Sequence, residues 1–200
     1  MDSNKLLKIL AMIGVSVGAF ILAQKSKISE ADEPREYFER YDGLFRLHAL
    51  LNGLPDWRWL KAISKQESDL GRDPRTSNGE ISSDGFSYGI MQIAPGKGSN
   101  QEMQLKGFGD KDLKEMSIPE QLYVKSKLND PNFSIKKGAE LVSYLFRKYG
   151  DAEKVFLAYN QGEKNTDNGK NYTHPNGQYA NKIFDHLDWI KRQEQKYMEV

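Results

Sequence analysis

The chain of 200 residues contains no cysteine. That excludes a disulfide framework, a cysteine-ligated metal site and a lipid-bearing N-terminal cysteine. It leaves the compartment open, since a cysteine-free protein folds in oxidising and reducing surroundings alike. Histidine is scarce: His48, His174 and His186 are the three present, and they fall at unrelated places, which speaks against a metal centre. No histidine–aspartate set accompanies a serine in the pattern of an activated nucleophile. Neither sign of charge is in excess. Lys+Arg 29 against Asp+Glu 28 gives a formal net charge of +1, so there is no global electrostatic case for a nucleic-acid partner. No internal repeat is present, and no cofactor motif.

Long hydrophobic runs are also missing, with one exception. Ile9 to Ala23 carries no charge and is extended by Leu6 and Leu7 across Lys8. At helical rise the run spans somewhat less than a hydrocarbon core of ~30 Å, so Lys8, Lys25 and Lys27 would snorkel at its edges. A cleaved signal peptide has a core of similar length, but bulky Ile21 stands where a small residue should precede the cleavage site. We therefore read residues 1–25 as a single N-terminal transmembrane anchor, meeting the lipid bilayer through residues 6–23, and residues 26–33 as a linker. What remains, 34–195, is long enough for one domain with its own core.

What that stretch contains is helical periodicity. A first helix is expected from Pro34 to about Asn52, with a stripe of Tyr37, Tyr41, Leu44, Phe45, His48 and Leu51. Asp56 caps the next. A short helix is expected over Pro119 to Leu128. Ile135, Ala139, Val142, Leu145, Phe146 and Tyr149 define the clearest helix, stopped by Gly150. Asp151 caps another, through Val155, Phe156 and Tyr159, and Tyr179, Ile183, Leu187 and Ile190 mark the last. The intervals 71–87 (irregular, with room for a small hairpin), 95–117 and 164–177 read as loops, and the tail beyond Arg192 as frayed. The fold class is mainly α, with at most a minor hairpin.

One side chain sits where an ionised carboxylate is disfavoured. Trp59, Leu60 and Ile63 lie on the apolar face of the helix beginning at Asp56, and helical steps carry that face on to Glu67. Gly71 and Asp73-Pro74 end the helix just beyond it. Burial and the negative end of the helix dipole both favour the protonated form of such a glutamate, which makes Glu67 a candidate general acid. The plain alternative is a surface glutamate at a frayed helix end.

Gln66-Glu67-Ser68, Gly89-Ile90-Met91-Gln92 and Ala158-Tyr159-Asn160-Gln161-Gly162, with Tyr179 beyond them, form an ordered set that resembles the motifs of the soluble lytic transglycosylases, a family sharing its lysozyme-like fold with the goose-type lysozymes. Gln66-Glu67-Ser68 resembles the family's glutamate-serine motif. Gly89-Ile90-Met91-Gln92 is similar to its glycine-leucine-methionine-glutamine motif, and Ala158-Tyr159-Asn160-Gln161-Gly162 to its alanine-tyrosine-asparagine-x-glycine motif. Tyr179 resembles the late tyrosine that hydrogen-bonds the catalytic glutamate. The likeness covers about residues 54 to 190. It departs at Glu163, where the family usually has proline.

The resemblance implies a two-lobed lysozyme-like domain acting on peptidoglycan glycan strands without metal or cofactor. It casts Glu67 as the catalytic acid and base, and Ser68, Gly89, Met91, Gln92, Tyr159, Asn160 and Tyr179 as groove or positioning residues. Each also has a plainer reading: core packing for Met91, a turn-stabilising amide for Gln92, a helix-end residue for Asn160, a local cap for Ser68. Three activities stay open: a transglycosylase forming 1,6-anhydro ends, a muramidase using Asp84 as second carboxylate, and a non-catalytic murein-binding module. The substrate would put the domain on the murein side of a membrane, bacterial or of a phage virion.

Overall fold

The computed structural model describes residues 34–73, 87–94, 116–169, 173–174 and 177–199. The expected anchor and linker, the carboxylate of Asp84 and the interval 95–115 lie outside the described residues. Among those described, no helix is long and apolar enough to cross a membrane. The chain divides into two compact units, residues 1–39 and 40–200. In the first, α1 (Arg35–Glu39) starts directly after Pro34, whose carbonyl accepts from the Tyr37 and Phe38 amides. The single helix expected over 34–52 is thus broken. A new one, α2 (Asp42–Leu51), begins at Asp42, whose carboxylate reaches the buried Lys61 ammonium at 2.6 Å. Burial raises the Asp42 pKa and the lysine opposes that rise.

The second unit continues with α3 (Arg58–Ser68), α4 (Ile118–Asn129), α5 (Pro131–Tyr149), α6 (Ala152–Gln161) and α7 (Glu163–Asp167). A two-stranded antiparallel hairpin of β1 (Thr173–His174) and β2 (Gly177–Gln178) follows, and α8 (Tyr179–Met198) closes the chain. α5 is the central element, packed against α2, α3, α4 and α6. Its boundaries follow from sequence: Asp130 Oδ1 accepts from the Phe133 amide at 2.7 Å, Pro131 opens the first turn, and Gly150 ends it at φ 63°. Ile135, Ala139, Val142 and Leu145 are completely buried along it. A cluster of edge-to-face rings ties four helices together. Trp59 of α3 meets Phe146 of α5 at 5.3 Å and Phe156 of α6 at 5.4 Å, and Phe156 meets Phe184 of α8 at 5.4 Å.

Two loop expectations are corrected. The interval 164–177 holds α7 and the hairpin, because side chains far from it fix it: Lys148 Nζ binds Glu163 and Asp167, each at 2.8 Å. The tail beyond Arg192 does not fray. α8 runs on to Met198 because Gln193 is buried and Glu194 pairs with Arg58 at 2.8 Å.

Candidate active site

Glu67 occupies the last turn of α3, half-buried, with the helix ending one residue later. The end is abrupt because Asp69, Leu70 and Gly71 all take positive φ (51°, 55° and 80°), so the helix is stopped before the glycine that the sequence suggested. The Leu70 amide reaches back to the Ser64 carbonyl, satisfying one of the last free acceptors. Among the described residues the only other non-glycine at positive φ is Gln92, at 45°. All three such residues therefore follow Glu67 or belong to the turn beside it. Left-handed backbone in ordinary residues costs about 1–2 kcal/mol each and persists where the surroundings over-determine it, as at functional sites.

That neighbouring turn is Gly89-Ile90-Met91-Gln92, closed by paired hydrogen bonds between Tyr88 and Ile93 at 3.0 and 2.9 Å. Gly89 (φ 74°) admits no side chain: a Cβ there would lie 1.8 Å from the Leu128 carbonyl oxygen at the end of α4. Met91 is completely buried and fills the space over Gly138 on α5. Its amide donates to Ser134 Oγ at 3.2 Å. Ser134, a buried serine among the apolar residues of α5, was not singled out from the sequence. Gln92 turns inward, its Nε2 donating to the Gly89 carbonyl at 2.9 Å, the turn-stabilising geometry.

Two further side chains fasten this turn to the acid. Ser68 is buried, and its hydroxyl lies 2.8 Å from the Ile90 carbonyl and 3.1 Å from that of Ser64, while accepting from the Gly71 amide at 2.9 Å. Tyr159 on α6 donates to the Met91 carbonyl at 2.7 Å. Burial raises the Tyr159 phenol well above its ordinary range, and the negative charge of Glu67 adds to the shift. Asn160, the next residue, is exposed at the end of α6.

Tyr179, the first residue of α8, donates from Oη to Glu67 Oε1 at 2.5 Å. Burial raises its pKa most, followed by the Glu67 charge, so it remains a donor throughout the neutral range. Beyond it α8 runs antiparallel to α3 through a series of polar contacts. His186 Nε2 lies 3.2 Å from Gln66 Oε1, Lys65 Nζ sits 4.7 Å from the Trp189 ring centre, and Arg58 binds Glu194. Burial, helped by the charge of Lys65, pushes the His186 imidazole down to about 4. Of the other histidines, His48 is buried against Asn132 Oδ1 at 2.7 Å.

Tyr179 thus binds the Glu67 carboxyl directly, while Ser68 and Tyr159 hydrogen-bond the Gly89–Gln92 turn. The transglycosylase SLT domain family matches residues 51–182, about two thirds of the chain. The chain belongs to that family. No curated protein and no solved structure matches it. Membership in the SLT family carries, at the level of the family, a lytic-transglycosylase-type action on peptidoglycan within the lysozyme-like superfamily. The mainly helical architecture agrees with that assignment.

Proposed function

We propose that this SLT-family protein is a lytic transglycosylase that cleaves the β-1,4 bond between N-acetylmuramic acid and N-acetylglucosamine and leaves 1,6-anhydro ends, with Glu67 as its acid and base. The observation that carries the reading is the Tyr179 Oη–Glu67 Oε1 hydrogen bond of 2.5 Å. It gives the Glu67 carboxyl a fixed donor, next to Ser68, whose hydroxyl bonds the Gly89–Gln92 turn. In the reaction the Glu67 carboxylic acid protonates the glycosidic oxygen as the C1–O bond breaks, and the glucosamine leaves as an alcohol. The 2-acetamido oxygen of the muramoyl sugar shields the positive charge at C1, standing in for a second carboxylate. The Glu67 carboxylate then takes the proton of the C6 hydroxyl while O6 bonds to C1. The acid is regenerated and no water is consumed.

Tyr179 orients the carboxyl. Ser68, Tyr159, Gly89 and Met91 hold the turn beside it, and Asn160, exposed at the end of α6, contacts saccharide. A solvated surface glutamate, as a purely murein-binding module would have, is at odds with the half-burial of Glu67. Residues 6–23 anchor the domain to a bilayer on the murein side.

Mass analysis of muropeptides released from sacculi tests the chemistry. Anhydro ends are expected, and Asp84→Asn is expected to cost little in rate and to leave the products unchanged. Reducing ends together with a large Asp84→Asn defect would establish a muramidase instead. The anchor is tested by fractionation: the full chain should sediment with membranes with its N-terminus intact, whereas a mature form starting after Ala23 would make the segment a signal peptide.

A further inference from the structure

The position at which this chain departs from the motif it resembles is not an open edge but a buried charge. Glu163 follows Gly162, is 8% exposed, and accepts on Oε1 both from Tyr144 Oη at 2.9 Å and from Lys148 Nζ at 2.8 Å. Both donors lie on the central helix α5, one turn apart. Burying a carboxylate is costly unless it is paired and hydrogen-bonded, and here it is both. Lys148 also takes Asp167, at the other end of α7, and Tyr149 donates to Asp167 at 2.8 Å. The five-residue helix is therefore clamped to α5 at both ends.

α7 in turn holds the end of α6. Asn165 Nδ2 donates to the Gln161 carbonyl at 2.8 Å and Thr166 Oγ1 to the Gly162 carbonyl at 3.1 Å, while Gln161 Nε2 donates to Thr166 Oγ1 at 3.1 Å. Gly162 bridges the two helices at φ 80° and ψ 158°, a conformation reserved for glycine. A hinge of that kind is free to swing unless its far side is fixed. Asn160 sits two residues before it, exposed at the end of α6, and its side chain has no hydrogen-bond partner among the described residues.

We propose that Glu163 is a positioning residue for saccharide binding: clamped by Tyr144 and Lys148 of α5, it fixes α7 and the Gly162 hinge and so sets the direction of Asn160. It touches no substrate itself. The inference rests on the reading above that Asn160 faces saccharide.

The test is a double-mutant cycle in the full chain between Glu163→Ala and Asn160→Ala. Binding to insoluble murein sacculi is measured in a Glu67→Gln background, and KM and kcat for sacculus digestion are measured with Glu67 intact. Glu163→Ala is expected to weaken binding and raise KM about tenfold with kcat within about twofold, and to add nothing once Asn160 is alanine. A merely stabilising residue would multiply its loss with that of Asn160→Ala, and that outcome overturns the proposal, as does wild-type behaviour of Glu163→Ala. Should Glu163→Ala fail to fold, Tyr144→Phe, which removes one phenol hydrogen bond and keeps the ring, replaces it in the same cycle with about a threefold effect expected. Sacculi that are bound but yield no anhydro products would refute the transglycosylase reading while the binding cycle still decides the role of Glu163. Failure of the Glu67→Gln chain to bind sacculi at all overturns both.

Discussion

The hydroxyl of Ser68 lies 2.8 Å from the carbonyl oxygen of Ile90, so the residue next to the proposed acid is fastened to the turn that follows it 22 residues later. The same oxygen accepts from the Gly71 amide and so also holds the abrupt end of α3. This small side chain therefore helps, with Tyr159, to set the distance between Glu67 and the Gly89–Gln92 turn. Ser68→Ala leaves a buried carbonyl and a buried-side amide without this partner and is expected to cost about 1–3 kcal/mol of stability, read from urea melts. The surviving folded protein should bind murein more weakly, because its turn is no longer tied to the acid.

Glu67→Gln keeps size and hydrogen-bonding shape but has no proton to give to a leaving oxygen. Muropeptide release is expected to fall by about 10²–10⁴-fold, with an unchanged melting temperature. Near-normal turnover by the folded variant would remove Glu67 from the mechanism.

Tyr179→Phe deletes a single oxygen from a buried ring. A hydrogen bond to a charged group is worth about 1.5–3 kcal/mol, so kcat should drop by about one to two orders of magnitude with KM nearly constant. Tyr159→Phe, which releases the Met91 carbonyl and not the carboxyl, should act mainly on KM and stability. Equal kinetic signatures for the two variants would contradict the division of roles drawn above.

Two glycines with the same backbone hand make a controlled pair. At Gly150 (φ 63°) a Cβ meets nothing within 4 Å, and Gly150→Ala should cost about 1–2 kcal/mol for its conformation alone. At Gly89 (φ 74°) a Cβ would lie 1.8 Å from the Leu128 carbonyl oxygen. Gly89→Ala must push the turn off α4, and its destabilisation should exceed that of Gly150→Ala by at least about 2 kcal/mol. Comparable melts for the two would mean that the turn yields more easily than its contacts suggest.

Acid sensitivity follows from His186. In the folded protein burial keeps the imidazole neutral down to about 4, against an ordinary value of 6.5. Below pH 6.5 the unfolded chain takes up a proton that the folded chain refuses, so the stability present above pH 6.5 is lost progressively as pH falls to about 4. The loss should be on the order of 1–3 kcal/mol after allowance for solvent screening. Chemical denaturation across that window reads the slope, and His186→Gln should flatten it. An unaltered slope would assign the acid sensitivity to carboxylates instead.

Much of this was legible in the residues themselves. Gly150 marks the end of α5, and the period of Ile135, Ala139, Val142 and Leu145 gives its buried face, because helix stops and amphipathicity are local. The apolar stripe running from Leu60 and Ile63 toward Glu67 pointed to the half-buried carboxyl for the same reason. What stayed hidden depends on partners distant in sequence. α7 lies in an asparagine-rich stretch with the composition of a loop, and Tyr144, Lys148 and Tyr149 of α5 hold it in place. The last turns of α8 lack an apolar period beyond Ile190, yet Glu194 finds Arg58 136 residues earlier. Ser134 gave only a weak signal, a polar residue on an otherwise apolar face.

The partner of Glu67 arrives 112 residues after it, on the first residue of the last helix. During synthesis the glutamate, its turn and the core of α5 therefore leave the ribosome well before Tyr179 does, and pairing between such distant segments forms late. A chain interrupted anywhere short of α8 carries the acid without the phenol that orients it, and without the Gln66–His186, Lys65–Trp189 and Arg58–Glu194 contacts that hold α3 from the other side. Because the phenol that orients Glu67 is made long after the acid itself, copies interrupted before α8 are expected to act more slowly than copies that include it.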